Sequence, residues 1–254
     1  MSVTNFILYL PPPLELVIVV GVVFAGGFLR GFTGFGAALI IVPVLSIIYT
    51  PQMAVVMHLL MEIPSAIQLL PSAVQQSEKR YIFPLLVALL AGVPLGAFLL
   101  STIDEQILRV IISVFVLIAV CLLASNWRYK RIIRWPIMAG SGFLGGFIQG
   151  MAGMGGPPIV TILMSRQDGV TVSRANIIVA MSTMMLIALP NQWANGLITI
   201  KVLILGCAAG PIYLLATYAG TRFFIAGGER FFRLVALIML SAIAIIMLIT
   251  SIRS

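Results

Sequence analysis

Few side chains in this 254-residue chain can do chemistry. Its one histidine, His58, stands one helical turn before Glu62, and Ser65 continues the same stripe, with spacings of four and then three. In an apolar segment such a stripe faces protein or water, as a hydrogen-bonded structural pair or as a group that binds and releases protons. Arg30 also lies in an apolar stretch, where an arginine costs about 2.5–3.5 kcal/mol on insertion scales. It needs either a way out to the interface, as a cytoplasmic topological charge, or an anion to attract.

The other feature with chemical content is a repeat. Gly26-Gly27-Phe28-x-x-Gly31-x-x-Gly34-x-Gly36 returns as Gly145-Gly146-Phe147-x-x-Gly150-x-x-Gly153-x-Gly155, 119 residues later (145 − 26) and without insertion. In the second copy Gly155-Gly156 runs into Pro157-Pro158, and proline favours the first helical turn because no amide is needed there. One helix is thus expected to start near Pro157 and, by the repeat, another near Ala37. Their N-termini carry unpaired amides and about half a positive charge each. Where the two tips meet, they form a small anion cradle, as broken helices do in inverted-repeat transporters. Glycines let backbone amides approach an oxyanion, so a Cβ at Gly36 or Gly155 is expected to obstruct the ligand and leave the fold intact. The competing role is packing: Gly27/Gly31, Gly142/Gly146/Gly150, Gly92/Gly96 and Gly206/Gly210 have the small-residue spacing of helix contacts.

Intramembrane catalysis finds little support. Metal-dependent proteolysis needs His-Glu-x-x-His, whereas His58-Leu59-Leu60-Met61-Glu62 has the wrong order and no second histidine follows. Asp104 and Asp168 fall in expected loops, and no serine has a histidine partner other than His58. No metal or other cofactor is expected.

The elements that position these residues follow from composition. Mean hydropathy is +1.16, with 61% hydrophobic and 9% charged residues, so the chain belongs in lipid. Stretches 82–100, 107–124 and 231–249 each approach the roughly 20 apolar residues that cross a bilayer. Backbone groups in lipid must be satisfied within the segment, so these are helices. Segments are expected at 14–30, 34–49, 53–72, 82–100 and 105–125, then 136–150, 156–166, 171–192, 199–219 and 229–250. Between the two sets lies a basic linker, 128–135, with Arg128, Lys130, Arg131 and Arg134. The halves are 1–127 and 136–254, one transport unit without a soluble domain. Gly96, Glu105 and Arg109 match Gly220, Glu229 and Arg233 at a spacing of 124 (220 − 96), so the ends of the repeats correspond too.

The net charge of +8 is strung between apolar segments, which suits topology and not nucleic acid. Cys121 and Cys207 read as small packing residues within spans. No Lys or Arg precedes Arg30 and three prolines interrupt the apolar start, which disfavours a cleaved secretory signal. If 14–49 and 136–166 were single helices, the repeats would be parallel and the basic residues nearly evenly divided. If each glycine motif is a hairpin tip, the copies are inverted, and only Arg109, Lys201 and Arg253 stand apart from the other basic side.

The paired motifs, with Phe32-Thr33-Gly34-Phe35-Gly36 in one copy and Met151-Ala152-Gly153-Met154-Gly155-Gly156-Pro157-Pro158 in the other, resemble those of the TauE/SafE sulfite exporter family, bacterial permeases for sulfite and organosulfonates. Length, duplication and the basic linker agree with the resemblance across the chain. It implies a multi-pass protein of the bacterial inner membrane, all-α, whose two inverted repeats each hold a glycine-tipped broken hairpin plus three transmembrane helices. It also implies export of a small sulfur oxyanion. A proton-coupled permease for another organic anion and a subunit of a membrane complex are the alternatives.

The expected substrate site is Arg30, Thr33, Gly34, Phe35, Gly36, Gln149, Gly153, Met154, Gly155, Gly156 and Pro157. His58, Glu62, Ser65, Asn176, Thr183, Asn191 and Gln192 are expected to line the pathway or couple energy. The expected partners are the anion, the lipid bilayer and a second copy of the chain.

Overall fold

The computed structural model describes residues 11–124, 133–166 and 169–226. Among them all regular structure is helical: α1 Pro13–Thr33, α2 Ala37–Ile48, α3 Pro51–Gln76, α4 Lys79–Thr102, α5 Glu105–Ala124, α6 Trp135–Ala152, α7 Gly156–Met164, α8 Val170–Ala194 and α9 Ile200–Ile225. Six of these, α1, α3, α4, α5, α8 and α9, are long and apolar enough to cross a membrane. The expected segment 229–250 and most of the basic linker lie outside the described residues.

Helices α2 and α7 do not qualify as spans. With 12 and 9 residues they rise only about 18 and 14 Å. The glycines create both breaks. Helix α1 stops at Gly34, whose φ of 86° is left-handed and whose amide donates to the Arg30 carbonyl at 2.8 Å. Helix α6 stops the same way at Gly153, φ 70°, with its amide on the Gln149 carbonyl at 2.9 Å. Beyond each break the chain folds back. A methyl on Gly26 would strike Ile41, and one on Gly145 would strike Ile159. In one continuous helix Gly26 and Ile41 would be about 22 Å apart, so the single-helix alternative for 14–49 is wrong and the motif is a hairpin tip.

Packing repeats between the halves. Helix α1 lies along α9 and α6 along α4, α3 packs on α8, and α3 meets α9 as α8 meets α4. In the first pairing Gly27 rests on the Tyr213 carbonyl, Gly31 on the Thr217 backbone and Gly220 on Phe28. In the second, Gly150 rests on the Val93 carbonyl, and Gly92 and Gly96 on the backbone of Phe143 and Phe147. Backbones approach this closely only without a Cβ. Gly206 likewise abuts Leu60, but the nearest neighbour of a methyl on Gly210 would be Pro64 at 3.9 Å, so the packing reading fails there. It also fails for Cys121 and Cys207, both exposed on the outer surface.

Candidate functional site

The two tips meet at a small buried cavity of about 20 Å³, room for roughly one water. Its wall takes Arg30 from α1, Gly36 to Leu39 from the first tip and the start of α2, and His58 and Glu62 from α3. The second half adds Gln149, Gly153, Met154, Gly156, Pro157 and, from α8, Met181.

Arg30 is 1% exposed and is the bulkiest fully buried side chain. It lies three residues before the end of α1, so its side chain reaches the tip without leaving the core. Nη1 donates to the Gly34 carbonyl at 2.7 Å. Nε lies 3.5 Å from Glu62 Oε1, a pairing that offsets the cost of burying either charge alone. Nη2 has no hydrogen-bond partner. The reading of Arg30 as an interfacial charge is therefore wrong: its cationic head is held in the protein by a carboxylate and a helix-end carbonyl.

His58 continues the chain of charges, with Nε2 3.9 Å from Glu62 Oε1. Neither ring nitrogen has a hydrogen-bond partner. Tyr213 of α9 stands edge-on to the imidazole, ring centroids 6.3 Å apart. Its hydroxyl lies near Ser65 and Glu62 and has no hydrogen-bond partner.

The tips are related but not equivalent. Gln149 occupies the motif position of Arg30, and its Oε1 accepts from the Gly155 amide at 2.9 Å. Each tip is thus latched by the side chain at the same place, once through a carbonyl and once through an amide. No side chain caps α2; the Leu39 amide donates to the Gly36 carbonyl at 3.1 Å, which leaves the amides of Ala37 and Ala38 at the cavity wall uncapped. Helix α7 offers fewer, since Pro157 and Pro158 have no N–H. The positive helix end comes mainly from the first repeat, against the expectation of a balanced pair.

Several expected site residues are placed elsewhere. The Thr33 hydroxyl lies 2.8 Å from both the Leu29 and the Phe35 carbonyls, either of which can take its one proton, and accepts from the Phe35 amide at 3.2 Å, which braces the tip. Gly34 faces Ile178 of α8. Phe35 packs beside Gly156. A methyl on Gly155 would overlap the Gly145 carbonyl and crowd Gln149 and Met184, so this glycine serves the hairpin and not ligand access. Ser65 bonds back to the Glu62 carbonyl at 2.9 Å.

The polar residues of α8 bond to several neighbours, while Asn176 Nδ2 and Gln192 Oε1 are buried without a hydrogen-bond partner. The Asn176 side-chain oxygen accepts from the Glu78 amide at the start of α4. Thr183 and Asn191 bond back to the Val179 and Ile187 carbonyls of their own helix. Gln192 donates to the Gly150 carbonyl at 2.9 Å, tying α8 to α6.

Sequence reasoning missed Tyr213 and Met181 and took two arginines only as topological charges. Arg174 donates to the carbonyls of Gly31 and Phe32 at the C-terminal end of α1, and its guanidinium lies 4.4 Å over the Phe224 ring. Arg109 does the same for α2 through the Ser46 and Tyr49 carbonyls. Cations at these ends complement the helix dipole. Among the described residues no three His, Cys, Asp or Glu side chains converge as a metal site would require.

A multi-helix membrane protein with two glycine-broken hairpins meeting at a buried guanidinium is the architecture of a small-solute carrier and not of a soluble domain. The chain belongs to the sulfite exporter TauE/SafE family, whose family model matches residues 18–247. No curated protein and no solved structure matches it.

Proposed function

We propose that the protein is a secondary permease of the bacterial inner membrane that exports a small sulfur oxyanion, sulfite or an organosulfonate, by alternating access between two inverted repeats. The observation that carries this reading is the unpartnered Nη2 edge of Arg30, facing a cavity where both glycine tips and the open N-terminus of α2 converge. Guanidinium forks and helix N-termini both suit oxyanions. With room for about one water, the cavity is smaller than such an anion, which fits a carrier whose helices move to admit it and not a permanently open pore.

Inversion is supported by the helix directions. Glycine contacts run in parallel register between α1 and α9 (Gly27 with Tyr213, Gly31 with Thr217), between α6 and α4 (Gly146 with Leu89, Gly150 with Ala97) and between α9 and α3 (Gly206 with Leu60, Gly210 with Pro64). The short turn at Ser77 and Glu78 reverses the chain from α3 into α4. On this reading helices α1 and α6, equivalent in the repeat, run opposite ways.

The test is flux in proteoliposomes for sulfite, an alkanesulfonate, sulfate and a simple carboxylate, under imposed voltage. Movement of the sulfur monoanions is expected. Preferential carboxylate flux would reassign the cargo, and no flux of any anion would point to a subunit of a larger complex.

A further inference from the structure

We propose that the site takes up one proton with each anion it binds and that His58 carries that proton. The inference rests on the reading of the cavity as an anion site and adds what happens to its charge. The wall contains Arg30, Glu62 and His58. With a neutral imidazole the charges of Arg30 and Glu62 cancel, and the cavity is balanced while empty. An entering monoanion would leave one negative charge uncompensated in a space nearly without water, which costs several kcal/mol.

The remaining groups around the cavity do not supply that compensation. Tyr213 on α9 contributes a neutral phenol, and α2, α6 and α7 carry no titratable side chain. Arg174 on α8 does not line the cavity, and its Nε and Nη2 donate to the Phe32 and Gly31 carbonyls, so its charge is set against the C-terminal end of α1 both before and after the anion enters.

His58 is placed to supply it. Both its nitrogens are buried and unbonded, and Nε2 already faces the carboxylate that pairs with Arg30. The exchange is balanced as follows. The anion takes the Nη2 and Nε edge of Arg30, Glu62 moves from that edge to His58, and a proton from water completes an imidazolium on Nε2. One ion pair becomes two, and the wall with its ligand is again neutral.

The experiment is isothermal titration of the full-length protein in nanodiscs with methanesulfonate, which stays singly charged at every working pH. Repeating it in buffers of different ionisation enthalpy counts protons. The wild type is expected to take up about one proton per anion, with affinity falling about tenfold per pH unit above the His58 titration. In Glu62→Gln the guanidinium has no carboxylate to cancel it, so the anion balances it directly. Binding should persist with proton uptake near zero and no pH dependence, an outcome that a purely structural role for Glu62 does not produce. Anion binding by the wild type without proton uptake would overturn the inference and leave the anion site standing, and so would a full proton taken up by Glu62→Gln. Binding of neither methanesulfonate nor sulfite by protein that elutes as a folded particle would remove the anion site and this inference together. Should Glu62→Gln prove unstable, the wild-type proton count decides alone.

Discussion

Arg30 and Glu62 form the charged centre of the site, and removing one without the other should be worse than removing both. Arg30→Gln leaves the Glu62 carboxylate buried without its partner at 3.5 Å, a loss of about 3–5 kcal/mol. The double variant Arg30→Gln with Glu62→Gln should recover most of that stability in detergent thermal unfolding and still move no anion. Recovery of flux in the double variant would show that the guanidinium holds the fold and nothing else. Gly156 gives a gentler probe, because a methyl there meets only Phe35 and Met181 at ordinary contact, 3.5 and 3.6 Å. Gly156→Ala should fold and assemble normally while slowing flux, since it narrows the cavity wall. Gly155→Ala, by contrast, should fail at folding. Sequence could not separate these neighbours, because Gly155 meets its own hairpin arm and Gly156 meets the other half of the molecule. The partner of Arg30 was equally hidden. A cost argument shows that a buried arginine needs a partner, but Glu62 is 32 residues away (62 − 30) on another helix.

At the scale of elements, the breaks were legible because glycine spacing acts locally. Gly34 and Gly153 terminate α1 and α6 with left-handed φ angles, a conformation that a side chain disfavours by about 1–2 kcal/mol. Helix contacts were legible only in part. The same small-residue spacing describes Gly206 and Gly210, yet only Gly206 touches a neighbouring helix closely. Gly31→Ala should therefore force α1 from α9 and cost about 1–3 kcal/mol, whereas Gly210→Ala should change stability by no more than about 0.5 kcal/mol. Thermal unfolding of the two variants in the same detergent checks this, and equal losses would mean that the α1 and α9 backbones are not in contact at Gly31. The polar side chains of α8 divide for a physical reason: Thr183 and Asn191 satisfy themselves on carbonyls one turn back, whereas Asn176 and Gln192 bond to other elements and keep a buried atom without a partner.

At the scale of the whole molecule, the repeat and its charges lead to a topology. Arg166 at the end of α7 pairs with Glu78 at the start of α4, 2.5 Å apart, so these two points lie at one end of the bundle. Lys201 at the start of α9 sits 5.7 Å over the Tyr49 ring, and Arg109 binds the Tyr49 carbonyl at 3.1 Å, which marks the other end. Lys79 and Arg80 at the start of α4 adjoin the first end, so positive charge bias predicts that this end faces the cytoplasm. Single cysteines at Glu78, Arg166 and Arg222 should then be shielded from a membrane-impermeant maleimide in intact cells, while those at Asp104 and Lys201 should react. Cys121 and Cys207 must first be replaced, since both are exposed. Labelling that placed Arg222 and Arg128 on opposite faces would restore parallel repeats. The prediction has weight for the mechanism as well. Only inverted copies let one half present to the cytoplasm what the other presents outside, so that a single site made of both tips can be reached from each face in turn.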